Sequence, residues 1–319
     1  MQPYQFRPKS KIREFLGERL IQVTALTALV SVALIFIFIF KEAVPIFTDE
    51  SVREEVTLEK MVVKQEWKAG REASCKWQPE SGTPKYSLLP LFVGTLKAAL
   101  IAMLFAVPLG VGAAIYSAEF ASRRLREFIK PVVELLAGIP SVVLGFFALL
   151  VLATVVQNAL GLTYRLNAIT AGLALGLAVI PIVFTVAEDA MTSVPQSLRD
   201  AALALGANRW QVSRTVVLPA ALPGIAAGVI LGFGRAIGET MIVLMASGNA
   251  AVVSLAPGDS VRTLSATIAA ELAEVVFGSA HYSVLFLLGT LLFVFTFLIN
   301  LGGDVALRRI RTRLQGRTS

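Results

Sequence analysis

The chain has 319 residues, 55% hydrophobic and only 16% charged, with a formal net charge of +7. A soluble domain of this length carries about a quarter charged residues. One cysteine and one histidine exclude a disulfide framework and any Cys/His zinc, haem or iron–sulfur site needing several such ligands.

The apolar residues come in long unbroken runs rather than alternating, which points to membrane helices and away from a membrane barrel. A span needs about 20 such residues. Leu20–Phe40, Ala98–Ala118 and Leu166–Ala187 carry no charge. Leu135–Tyr164 is longer than one span requires, so part of it turns in the interface. Thr215–Gly258 is interrupted only by Arg235 and Glu239, and Tyr282–Gly303 closes the series. The expected fold class is an all-α polytopic membrane protein of six spans.

Residues 1–19 are basic, but the apolar run after them is too long for a signal peptide and lacks a small-residue cleavage pattern, so a retained first helix is expected over 20–40. Residues 41–87 read as an external excursion of mixed charge with few apolar clusters, in which Val56–Trp67 is a candidate hairpin and Cys75 an unpaired thiol. Residues 88–303 form the core, with a loop at 188–218, and 304–319 form a basic tail. With both termini inside, the inner segments 1–19, 119–133, 188–218 and 304–319 hold 17 Lys and Arg against 8 Asp and Glu. The positive-inside rule then fixes cytoplasmic termini and assigns the +7 to membrane orientation, not to nucleic acid.

The 188–218 loop carries structural punctuation. Pro195 suits a helix start, Gly206 a left-handed stop, and Asn208 a cap for a second helix over Arg209–Val217. Two short helices at an angle make a rigid knob that a soluble partner can grip.

In that loop stands Asp200-Ala201-Ala202, three residues, Gly206, nine residues, then Val216-Val217-Leu218-Pro219. This resembles the E-A-A-x3-G-x9-I-x-L-P pattern of ABC importer permeases. The resemblance implies that Ser197–Gly206 is a coupling helix seated in a groove of an ATPase subunit, with Ala201 and Ala202 small for close approach and Gly206 making the turn. No G-x-x-x-x-G-K-[ST] occurs. The chain is therefore expected to be no enzyme by itself and to bind no cofactor or metal, with ATP and Mg2+ used by the partner ATPase.

Read as one continuous helix, the fifth span places Arg235 and Glu239 four residues apart on one face. Arg235 lies 16 residues past Pro219, about 24 Å along the axis and deep in the bilayer. Gly224, Gly228, Gly232 and Ala236 form a close-packing stripe, and the helical projection sets both charges near Gly232, pointing into the helix assembly. The pair serves either as an internal lock between helices or as an anion-attracting group on a translocation path. Smaller roles are expected elsewhere: Lys97 snorkels, Glu188 and Asp189 face the cytoplasm, His281 is interfacial, and Pro108 and Pro181 bend their spans.

The wording G-R-A-I-G-E-T-M (234–241) followed by S-G-N (247–249) resembles the phosphate importer permeases of the PstC type. So do Trp77-x-Pro79, Leu89-Pro90-Leu91, Gly94-Thr95-Leu96, Ala106-Val107-Pro108-Leu109-Gly110, Ala137–Gly145 and Ala269–Glu274. This implies a type I importer core and four kinds of neighbour: a second permease of the PstA type, an ATPase homodimer of the PstB type, a periplasmic phosphate-binding protein of the PstS type, and membrane lipid. It implies a bacterial inner-membrane location, with Arg235 and Glu239 contacting phosphate. Another oxyanion as cargo, and a membrane scaffold that senses phosphate without moving it, stay open.

Overall fold

A computed structural model describes residues 11–64 and 74–314. Six helical stretches are long and apolar enough to cross a membrane: Phe15–Thr48, Leu89–Phe120, Ser141–Leu160, Ala168–Thr192, Arg209–Gly238 and Ala280–Arg309.

The first span is helix α1 (Lys11–Ala43) and the second is α5 (Leu89–Ile115), extended by a π-helical turn over Tyr116–Phe120. The long uncharged stretch divides as its length demands. Helix α6 (Arg123–Ala137) is amphipathic and ends before Pro140. Helix α7 (Ser141–Phe147), a π turn (Ala148–Leu152) and α8 (Ala153–Leu160) then make the third span. The link at 119–134 is thus mostly a helix. The fourth span is α9 (Ala168–Thr192), started by Asn167, whose side chain accepts from the Thr170 amide. The fifth runs from α11 (Arg209–Val212) through a π turn (Ser213–Val217) into α12 (Leu218–Gly238), and the last is α15 (Ala280–Leu314).

The centre of the bundle is a seam of small residues. Ala99, Ala102 and Ala106 on α5 lie buried against Ala171, Ala174 and Ala178 on α9. A Cβ on Gly172 or Gly176 would run into Ile101 or Phe105. Lipid tails are as apolar as side chains, so close backbone approach replaces the hydrophobic effect as the cause of association. The predicted stripe on α12 joins this seam, since Gly224, Gly228 and Gly232 face Ala190, Val186 and the Val179–Val183 pair of α9.

Within the excursion at 41–87, the described residues 41–64 and 74–87 contribute a buried apolar cluster that its composition did not announce. Helices α2 (Pro45–Thr48), α3 (Glu50–Glu55) and α4 (Leu58–Val62) lead to a hairpin of β1 (Trp77–Gln78) and β2 (Lys85–Tyr86), with Trp77 opposite Tyr86. The candidate hairpin at Val56–Trp67 is instead helical over Leu58–Val62, and its residues 65–67 lie outside the described residues. Val52 on α3, Val56 in the extended link after it and Met61 on α4 are buried in one cluster with Trp77, Tyr86, Leu91, Leu264 and Leu285. They cap one end of the bundle. The opposite end carries the 188–218 loop.

Candidate functional site: the 188–218 loop and the broken fifth span

At the loop end, α10 (Gln196–Ala204) follows Pro195, and Gly206 takes φ of +87°, the left-handed turn expected of it. Asn208 and Gln211 form a reciprocal capping box at the start of α11, with bonds of 2.9 and 2.8 Å. Asp200 and Ala201 are exposed, while Ala202 packs against the apolar cluster of Met191, Val194 and Val212. Beside them Leu203, Leu205 and Trp210 are also exposed, and Leu205 is 90% so. The loop thus presents small and apolar residues beside Asp200 and Arg209 on a stiff base, a surface suited to a protein partner.

Several charged residues hold that base. The α6 residue Arg126 donates to the Ser117 carbonyl at 2.9 Å and to that of Ala118, and Lys130 reaches Asp189 at 2.8 Å and Glu188 at 3.3 Å. Glu188 is buried between these two cations and does not face the cytoplasm as expected; Asp189 alone stays exposed. The hydrogen bond to Asp189 is the largest of the effects that raise the Lys130 pKa above its ordinary value.

The fifth span departs from the sequence expectation at its far end. Helix α12 stops at Gly238. Glu239 is extended (φ −70°, ψ 133°), and a short helix α13 (Met241–Ala246) begins after Thr240. At the break Ser265, buried on α14 (Leu264–Glu271), donates its hydroxyl to the Glu239 carbonyl at 2.8 Å and so satisfies an acceptor that the extended backbone leaves outside the helix. Arg235 and Glu239 are therefore not on one helix face, and the projection that set both charges near Gly232 fails for Glu239. Arg235, in the last turn of α12, is exposed and points away from this chain's own packing. Glu239 is half-buried at the break. Neither side chain makes an ion pair or hydrogen bond among the described residues. An internal Arg235–Glu239 lock is absent among the described residues.

A cluster at the cap end was not singled out from sequence. The Glu271 carboxylate accepts from Arg262 at 2.5 Å, from Trp77 Nε1 at 3.0 Å and lies 2.9 Å from His281 Nε2. His281 is thus a partner of Glu271 and not merely interfacial. Trp77 and Glu271 stand inside the stretches that resemble the permease family, and His281 is the chain's one histidine; nothing in their spacing brings them together. Lys97 reaches out of α5 to the Ala256 carbonyl at 2.9 Å.

Residues 106–314 match the family model described as binding-protein-dependent transport system inner membrane component. The chain belongs to this family. It is 38% identical over 256 residues to the phosphate transport system permease protein PstC of Mesorhizobium japonicum, covering 74% of this chain and 77% of that one. Over 228 residues it is 36% identical to the probable ABC transporter permease protein YqgH of Bacillus subtilis, covering 72% and 74% of the two chains. Among solved structures, a bacterial ABC transporter involved in the import of alginate superposes with a TM-score of 0.60 at 16% identity, over 94% of this chain and 99% of that one. The fold is that of the type I ABC importer permeases. As a member of the family, the chain is a multi-pass inner-membrane permease subunit.

Proposed function

We propose that the chain is the PstC-type permease subunit of an ATP-driven phosphate importer. Identity of 38% over 256 residues to a phosphate permease carries the reading, and the chemistry of the fifth span fits it. The subunit pairs with a PstA-type permease, and the two rest on a PstB-type ATPase homodimer. A PstS-type binding protein delivers phosphate from outside. Both termini are cytoplasmic, as the distribution of Lys and Arg requires.

In this reading Asp200, Ala201 and Ala202 meet the ATPase, and Gly206 turns the chain back to the membrane. ATP and Mg2+ act on the ATPase subunits, whose closure draws the two coupling helices together and turns the path from inward- to outward-facing. Arg235 is the cation that phosphate passes. It is exposed on α12 and free of an internal partner, and a guanidinium pairs two oxyanion oxygens at once. Near neutral pH phosphate still carries a proton and sulfate does not. Glu239, freed from the helix by the break, accepts a hydrogen bond from that P–OH and repels a fully ionised oxyanion.

The test is uptake of radiolabelled phosphate by the full complex in vesicles. Arg235→Gln should lower uptake about 10- to 150-fold, the equivalent of one hydrogen-bonded charge contact of about 1.5–3 kcal/mol, with assembly and ATP hydrolysis intact. Unchanged uptake would move selectivity to the other permease. Glu239→Gln should admit sulfate. Failure of the wild type to carry phosphate would end the assignment of cargo.

A further inference from the structure

The base of the coupling loop contains an arginine whose bonds run to two membrane helices at once. Arg199 lies on α10, immediately before Asp200. Its Nη2 sits 2.9 Å from Glu119 Oε1 and 2.8 Å from the Met191 carbonyl, and its Nη1 donates to the Val194 carbonyl. Glu119 belongs to the π turn that ends the second span, 80 residues away. Met191 is in the last turn of α9, and Val194 follows it. Both side chains are well buried, Arg199 at 14% and Glu119 at 8% exposure, so solvent screens the pair far less than a surface pair. From the other side, Arg126 of α6 holds the carbonyls of Ser117 and Ala118 in the same π turn.

The planar fork of a guanidinium fixes direction as well as distance. One side chain therefore ties the helix that meets the ATPase to the ends of α5 and α9, the two helices that share the Ala/Gly seam at the centre of the bundle. We infer that Arg199 is the positioning residue through which displacement of α10 is passed to α5 and α9, with Glu119 as its anchor on α5. The inference rests on the reading of α10 as the ATPase-coupling helix. A buried pair can equally serve only to hold a fold together, so the measurement has to be one that a purely structural role would not move.

That measurement is the amount of radiolabelled phosphate carried per ATP hydrolysed by the complete transporter in vesicles. Glu119→Gln takes the charge out of the link to α5 and keeps those to α9; Arg199→Ala cuts all three. With the ATPase still bound and hydrolysing, phosphate per ATP should fall about 3-fold for Glu119→Gln and about 10- to 30-fold for Arg199→Ala, the range of energies by which such networks modulate coupling. Arg199→Lys keeps the charge but not the fork and should fall between them; it and Glu119→Gln decide the matter where Arg199→Ala does not assemble. A ratio unchanged in these variants overturns the inference. So does a parallel loss of hydrolysis and uptake, which would make the pair structural. The underlying reading is tested separately by Ala201→Trp on the exposed face of α10, which should release the ATPase from the purified complex. Full retention of the ATPase would refute α10 as the docking helix, whatever the Arg199 variants do.

Discussion

Removing the carboxylate of Glu271 should loosen the cap without unfolding the bundle. Glu271→Ala leaves Arg262 with Thr267 Oγ1, at 3.1 Å, as its remaining side-chain partner, and strands the indole N–H of Trp77 and the Nε2 of His281. Breaking a buried pair by deleting one partner costs about 3–5 kcal/mol. Glu271 and Arg262 keep 14% and 18% of their side chains in solvent, which favours the lower end, about 3 kcal/mol. At about 1.4 kcal/mol per tenfold, the local opening equilibrium shifts by roughly two orders of magnitude. The reporters are the amides of Ser87 and Leu88, bonded to the Lys76 and Met61 carbonyls at 3.0 and 2.8 Å. Their hydrogen exchange reads that opening directly. It should quicken about 100-fold, while amides in the middle of α9 stay protected. Glu271→Gln, which keeps the volume and loses the charge, should give a smaller effect. Unchanged exchange in both variants would refute the reasoning, because the apolar contacts of Trp77 and Tyr86 would then be holding the hairpin unaided.

Three further outcomes follow from single contacts. Gly94→Ala places a Cβ on the Arg262 carbonyl oxygen, where only backbone movement can relieve the overlap; thermal unfolding of the purified complex should drop by about 1–3 kcal/mol, while Gly112→Ala, which meets nothing within 4 Å, should be neutral. Gly206→Ala forces a Cβ into φ of +87° and should cost about 1–2 kcal/mol in the same assay. Lys130→Met should lower the melting temperature modestly near neutral pH. The Lys130 pKa is raised above 10.5 in the fold, so its contribution is complete below that value and is lost as pH rises through the raised one. The difference between wild type and variant should persist from pH 7 to 9 and shrink at strongly alkaline pH; a difference that instead vanished between pH 7 and 9 would contradict the assigned partners.

Apolar run length made the spans legible, because a helix in lipid must satisfy its own backbone and only length and hydropathy decide where it lies. The coupling loop was legible for a different reason: Pro195, Gly206 and Asn208 act on their immediate neighbours, so their effect on the chain is local. Two things were hidden. The cap depends on Trp77 meeting Glu271 across 194 residues, and Val52, Val56 and Met61 come from two short helices and the extended link between them, so no single period marks them. At the end of α12 the exposed carbonyl of Glu239 is met by a hydroxyl from Ser265, 26 residues on, and the apolar sequence through 241–246 reads as continuous helix. For the same reason Glu188 read as a surface carboxylate: its two cations come from α6, 58 residues away in the case of Lys130.

The broken helix bears on the proposed pairing with a second permease. In hydrocarbon, backbone without regular pairing is tolerated only where it is buried in protein or lines water. Ser265 satisfies one carbonyl at the break, but Arg235 stands one turn earlier on the exposed side of α12, and an ionised side chain deep in lipid costs several kcal/mol. The Gly224–Gly228–Gly232 stripe fixes that orientation, because turning α12 to hide Arg235 would take the glycines off α9 and set bulkier side chains where no Cβ fits. The side of α12 that carries Arg235 is thus committed by packing to face outward from the chain, and by charge to avoid lipid. In the proposed reading, a polar seam against a second permease meets both requirements and puts the arginine where an anion between the two subunits would pass.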